Sequence, residues 1–245
     1  MYHIQRGNDG SAETMVFVHG AIGVHRQWLD QVNYFRQHIN CIAVDLPGHG
    51  RSNELPAETV ASFADSLYQW LRANVKPPII LVGHSMGGAV SLTLTINHAE
   101  MVDRLVLVGS GARLPVSDTL LASLKDGHFD AKFLDYAYSR ATDRQFVEQA
   151  KNELMLQDAK LAYNDFAACQ GYNVIKNLGG INVPTLVICG VDDMLTPVSL
   201  SEELRRGIPM AHLELIPEAG HMVMIERPEA VNQAITKFLQ GEGAK

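Results

Sequence analysis

Six short apolar runs recur along the chain, each ending in turn or polar residues. They are MVFV (15–18), CIAVD (41–45), IILVG (79–83), RLVLVG (104–109), TLVICG (185–190) and HLELI (212–216). Most are nearly unbroken in Val, Ile and Leu. A strand reads that way when helices cover both of its faces, as in a parallel sheet. HLELI alternates instead, which predicts a strand nearer the sheet edge. A further strand is expected at 2–6. Between the runs, residues 27–37, 59–75, 85–98, 199–207 and 228–240 carry apolar residues at helical spacing, and Pro228 suits the first turn of the last. This alternation predicts an α/β fold: a mostly parallel central sheet of about seven strands with helices on both faces.

The rhythm breaks once. Residues 114–178 hold no strand-like run and read as helical, and Phe129, Phe133, Tyr136, Tyr138, Phe146, Tyr163, Phe166 and Tyr172 fall there, eight of the chain's 17 aromatics. The segment reads as a helical cap inserted between two strands, leaving 1–113 and 179–245 as the core. Most of these aromatics are expected to form the cap's own core. A few, with Met155, are expected to face an apolar substrate.

Composition removes several function classes. The net charge is −7 and no basic cluster appears, so nucleic acid is not an expected partner. No run approaches the length of a membrane-spanning helix, so no membrane partner is expected. The opening MYHIQRGNDG lacks a charged stretch followed by an apolar one, so no secretory signal is visible. The three cysteines, Cys41, Cys169 and Cys189, match no metal or CxxC spacing. Those in strand-like runs, Cys41 and Cys189, read as small buried hydrophobes. A reducing, cytoplasmic setting is the expectation. Nothing in the sequence specifies an oligomeric state.

The chemistry concentrates at Gly83-His84-Ser85-Met86-Gly87, which joins the strand 79–83 directly to a helix. So abrupt a turn is expected to bring the residues two before and two after the serine close together, where side chains would collide, so glycine at both places has a steric cause. Ser85 is left at the apex in a strained conformation, at the carboxyl edge of the sheet. A serine hydroxyl is a weak nucleophile at neutral pH. It needs a base, and the base needs a group to orient it.

Position selects among the ten histidines. Ligands of parallel α/β sheets bind beyond the carboxyl ends of the strands. His221 follows the strand 212–216 and qualifies. Asp192 and Asp193 follow the strand 185–190, and the spacing alone does not choose between them. His49, in a glycine-rich turn, is assigned a structural hydrogen bond. His84 is expected to point away from the nucleophile. His25, His38, His98 and His128 read as loop or surface residues, and His212 opens a strand. An oxyanion would need backbone donors. Met86 N–H, opening a helix, is one, and Ala21 N–H in the loop VHGAIGV (18–24) is the other.

These motifs together resemble the α/β-hydrolase family. The resemblance covers nearly the whole chain and rests on HG (19–20) with Ala21, DLPGHGRS (45–52), GHSMGG (83–88), GVDDMLTP (190–197) and AGH (219–221). It implies that Asp193, three residues after Gly190 and three before Thr196-Pro197, is the acid. Some relatives carry the acid after the strand equivalent to 104–109, where this chain reads GSGAR. In DLPGHGRS, Asp45, Gly48, Gly50 and Ser52 are implied to brace a turn. Family members usually have two strands before the HG strand, but only about 14 residues precede it here, which implies seven strands rather than eight. Dehalogenase and epoxide-hydrolase branches use an aspartate nucleophile, and position 85 is serine. The expected activity is therefore a serine esterase with a Ser85–His221–Asp193 triad, acting on small to medium apolar esters without metal or cofactor. The same triad serves C–C bond hydrolysis of vinylogous diketones in related capped enzymes. A small-ligand receptor on the same scaffold is the alternative of another class.

Overall fold

A computed structural model describes residues 1–7, 13–154 and 158–241. Seven strands form one sheet: β1 (His3–Arg6), β2 (Thr14–Val18), β3 (Asn40–Val44), β4 (Ile79–His84), β5 (Val102–Val108), β6 (Thr185–Gly190) and β7 (Ala211–Ile216). Their order is β1-β3-β2-β4-β5-β6-β7, and only the β1–β3 pair is antiparallel. The alternating strand is indeed an edge: β7 closes one side and is the least buried of the parallel strands.

The period of two along each strand divides the core into two layers. Val16, Val18, Ile79, Leu81, Leu105, Leu107 and Val187 point to one face. Met15, Phe17, Ile80, Val82, Val106, Val108 and Ile188 point to the other. The first face is covered by α2 (Val60–Asn74), α3 (Met86–Asn97) and α8 (Val198–Gly207). The second is covered by α1 (Leu29–Phe35), α9 (Val223–Glu226) and α10 (Pro228–Leu239). The helix that follows β4 is apolar nearly all round because it lies against the centre of the sheet, and ten of its residues are buried.

The strand order creates the functional edge. After β2 the chain leaves through α1 on one face, and after β4 it leaves through α3 on the other. Neighbouring carboxyl ends with connections departing to opposite faces leave a crevice between them. The loop containing Ala21 and the turn containing Ser85 flank this crevice.

Between β5 and β6 the chain runs through α4 (Asp118–Lys125), α5 (Leu134–Ala137), α6 (Arg144–Leu154) and α7 (Ala159–Gln170). Leu124, Phe129, Leu134, Tyr138, Val147 and Ala162 form a third apolar cluster there, and Ile22, Leu195 and Met222 from the sheet's loops pack against it. Asn164 Nδ2 donates to Ala57 O at 2.6 Å, which ties α7 to the loop before α2. Met155, assigned to a substrate cleft above, lies outside the described residues.

Candidate active site

Ser85 sits at φ 52° and ψ −119°, a backbone conformation unfavourable for any residue but glycine. The surroundings hold it there. Its N–H donates to Val108 O at 3.0 Å, and its carbonyl accepts from Ala89 N at 3.1 Å and from Ser110 Oγ at 2.8 Å. The flanking glycines have distinct steric reasons. A Cβ on Gly83 would lie 2.3 Å from Gly87 O, whereas one on Gly87 would strike the end of β2, 2.3 Å from His19 O. The turn thus excludes side chains on both sides of the serine, but only Gly83 does so by meeting its counterpart.

β6 and β7 deliver the other two residues. His221 Nδ1 lies 2.9 Å from Asp193 Oδ2, and both side chains are buried. A carboxylate only accepts, so Nδ1 carries the hydrogen of this bond, and in the neutral ring the lone pair lies on Nε2. Burial pushes the Asp193 carboxyl up. The charge and hydrogen bond of His221, with donations from Thr196, outweigh that and hold it below the usual carboxylate range. Those donations are Thr196 N to Oδ1 at 2.8 Å and Thr196 Oγ1 to Oδ2 at 2.7 Å, and Leu195 N adds another to Oδ1 at 2.9 Å. Asp192 turns the other way, where its Oδ2 accepts from Ser139 Oγ. The aspartate left open by spacing is therefore separated by geometry. Gly109, at φ 51°, leaves room for the pair: a Cβ there would approach His221 Nδ1 to 3.3 Å and Asp193 Oδ2 to 3.4 Å.

Several residues that sequence reasoning set aside support the site. His84 is buried and donates from Nε2 to His221 O at 3.0 Å. Burial, and then the charge of His221, lowers it to about 3, so it is neutral. Glu226 accepts from Gly220 N and from Ser139 N, each at 2.8 Å, and also from the Thr142 hydroxyl. His221 N donates to Ala137 O at 2.8 Å. The histidine loop is thus bonded to the helical segment on both sides of its imidazole. Asp45 accepts from His25 N, His25 Nδ1 and Arg51 N, and Ser52 Oγ donates to Asp45 O. His25 is a partner of that buried carboxylate rather than a plain surface residue.

Ser85 and His221 line one cavity of about 950 Å³. Ala21 lines it as well. Met86 opens α3, where its N–H has no carbonyl one helical turn earlier to bond. The wall opposite the sheet comes from the helical segment. Phe133, Tyr136, Tyr138, Phe146 and Phe166 line it, whereas Phe129 and Tyr172 are buried elsewhere. Five of the eight aromatics thus face the cavity, more than the few expected. Charged groups join them: Arg26, Asp130, Lys132 and Glu153 also border the cavity. Among the described residues, no group of three His, Cys, Asp or Glu side chains could hold a metal ion, and no helix is long and apolar enough to cross a membrane. The three cysteines are free and buried, and burial raises the Cys41 thiol to about 12 and the Cys189 thiol to about 11.

Known proteins resemble this chain along its length. A protein named "Putative carbamate hydrolase RutD" from Caulobacter sp. (strain K31) is 29% identical, covering 100% of this chain and 97% of that one. The (E)-2-((N-methylformamido)methylene)succinate hydrolase of Acinetobacter baylyi is 27% identical, covering 94% of this chain and 92% of its own. A solved thermophilic esterase superposes with a TM-score of 0.83 at 31% identity, covering 99% of this chain and 98% of that one. The sequence model of the alpha/beta hydrolase family matches residues 15–234. With that match, and with a seven-stranded sheet carrying a serine on a tight strand-to-helix turn, the chain belongs to the alpha/beta hydrolase family.

Proposed function

We propose that the protein is a serine hydrolase that cleaves small to medium carboxylic esters. The observation that carries this reading is the 2.9 Å bond from His221 Nδ1 to Asp193, in a cavity that Ser85 also lines. Ser85 Oγ attacks the ester carbonyl while His221 Nε2 takes its proton. Asp193 holds the tautomer and stabilises the imidazolium that forms. Ala21 and Met86 N–H groups receive the oxyanion, each such donor being worth about 2.7–4 kcal/mol in the transition state. His221 then protonates the leaving alcohol, the acyl-enzyme forms, and water repeats the sequence to release the acid. No metal or cofactor takes part. Residues 114–178 act as the cap, and their aromatics hold the apolar part of the substrate.

The esterase likeness supports an ester as the substrate. The two relatives named above make a carbamate and an (N-methylformamido)methylene succinate the bonds to test beside it, with a ring-fission diketone as the C–C substrate. The experiment incubates the wild type and Ser85→Ala with a fluorophosphonate probe and with p-nitrophenyl esters of increasing chain length. Stoichiometric labelling and ester turnover, both lost in Ser85→Ala, are expected. A wild type that neither labels nor turns over, yet binds a small ligand, overturns the reading in favour of a receptor. A C–N or C–C substrate turned over far faster than any ester keeps the triad and replaces the ester.

A further inference from the structure

Among the described residues, Asp165 is one of the buried carboxyl groups that have no part in the steps above. It lies in α7 and is fully buried. Its Oδ2 accepts two hydrogen bonds at 2.7 Å, from Ile22 N and from His49 Nε2. The other ring nitrogen of His49 lies 3.0 Å from Pro47 O. A carbonyl and an ionised carboxylate only accept, so the geometry fits hydrogen on both nitrogens of His49, an imidazolium paired with Asp165. Burial lowers the His49 imidazole, but the hydrogen bond and charge of Asp165 outweigh burial and hold it above its ordinary value. The other titratable groups beside it are His19, 4.8 Å away between ring centroids, and Asp45. Burial and the charge of His49 lower His19 to about 3, so it stays neutral.

The second bond of Asp165 reaches a strained turn. Gly23 N donates to Gly20 O at 3.1 Å, closing a four-residue turn with Ala21 and Ile22 at its centre. Ile22 has φ +54°, a conformation that is costly for a β-branched residue and persists only where the surroundings impose it. Asp165 grips the N–H of that residue, one position after the Ala21 N–H. From this geometry we infer that Asp165, ion-paired with His49, is a positioning residue that locks the Gly20–Gly23 turn so that Ala21 N–H is aimed at the oxyanion. The inference rests on the serine-hydrolase reading. It assigns the helical segment a part in stabilising the transition state, through a group that never touches substrate.

The test compares the full-length wild type with Asp165→Asn and His49→Gln. Each is assayed with a p-nitrophenyl ester for kcat and KM, and with phenylboronic acid, whose tetrahedral serine adduct places an oxygen where the oxyanion would sit. Asp165→Asn is expected to lower kcat by about 10- to 100-fold and to weaken phenylboronic acid by a similar factor, with KM nearly unchanged. A purely structural role would lower the melting temperature without that split. A folded Asp165→Asn with wild-type kcat and wild-type boronate affinity overturns the inference. If Asp165→Asn does not fold, the wild type and His49→Gln decide. In the wild type, kcat falls at constant KM and constant circular dichroism as the pH is raised from neutral through the elevated His49 value and the ring loses its proton. His49→Gln, whose amide donates to Asp165 without titrating, shows no such fall. A flat wild-type profile overturns the inference. A wild type with neither labelling nor turnover overturns the hydrolase reading itself, whereas an active wild type with an indifferent Asp165→Asn overturns this inference alone.

Discussion

Asp193 accepts from four donors: Leu195 N, Thr196 N, Thr196 Oγ1 and His221 Nδ1. So many bonds to one buried carboxylate fix its direction as well as its charge. Asp193→Asn would present an amide to His221 and favour the wrong tautomer. We expect kcat to drop by about 10⁴-fold with a far smaller change in KM, measured by steady-state ester hydrolysis. The same carboxyl links stability to acid. It is held below the ordinary carboxylate value, so the folded chain binds its proton less readily than the unfolded chain. Its stabilisation is complete above the unfolded carboxyl's value and is lost as pH falls through the lowered folded value. Urea midpoints taken downward from neutral pH should fall less steeply for Asp193→Asn than for the wild type. Ser85, His221 and the Asp192–Asp193 pair could be placed at one sheet edge because each follows a strand with a readable apolar run, but strand position did not tell the two aspartates apart. Thr196 stood in a quoted motif, but its hydroxyl's contact with the acid was not apparent, since adjacent residues give no hint of which side chains turn inward. Asp165 was missed altogether: its partners lie 143 and 116 residues away.

At the level of elements, the turn that carries Ser85 has no room for added side chains at its flanking glycines. A methyl group on Gly83 meets a backbone oxygen that cannot rotate away. Gly83→Ala should therefore destabilise the protein by about 3 kcal/mol or more, lowering the melting temperature by roughly 6–12 °C. Gly179→Ala is the control: nothing lies within 4 Å of its added carbon, and its melting temperature should stay within about 2 °C of the wild type. Differential scanning calorimetry of both variants checks the contrast. Strand-to-helix turns of this kind can be read from sequence because their cause is local and steric. The seat of α5 and α7 against the sheet's loops cannot, because it depends on single buried polar groups such as Glu226 and Asp165 whose acceptors are filled from other elements.

Over the whole molecule, the alternation of strand residues between two apolar layers was already present in the order of Val, Ile and Leu, and so was the edge position of β7. The shape of the cavity was not. It arises where α4 to α7 lie over the carboxyl ends of the strands, and the aromatic spacing did not show which rings would turn toward that space. Phe146 lines the cavity, lies edge-on to Tyr138 and is 41% exposed. Replacing it should remove apolar contact from the longer acyl chains first. Phe146→Ala is expected to lower kcat/KM for an octanoate ester about fivefold relative to an acetate ester, read across a p-nitrophenyl chain-length series. The bonds that Glu226 and Ala137 make around His221 carry a broader consequence. Grafting a relative's helices onto this scaffold would exchange the lining of the cleft and unfasten His221, the base of the proposed reaction, in the same operation. On the proposed reaction, selectivity and turnover are mechanically joined, and a chimera that altered the first would have to restore those anchors to preserve the second.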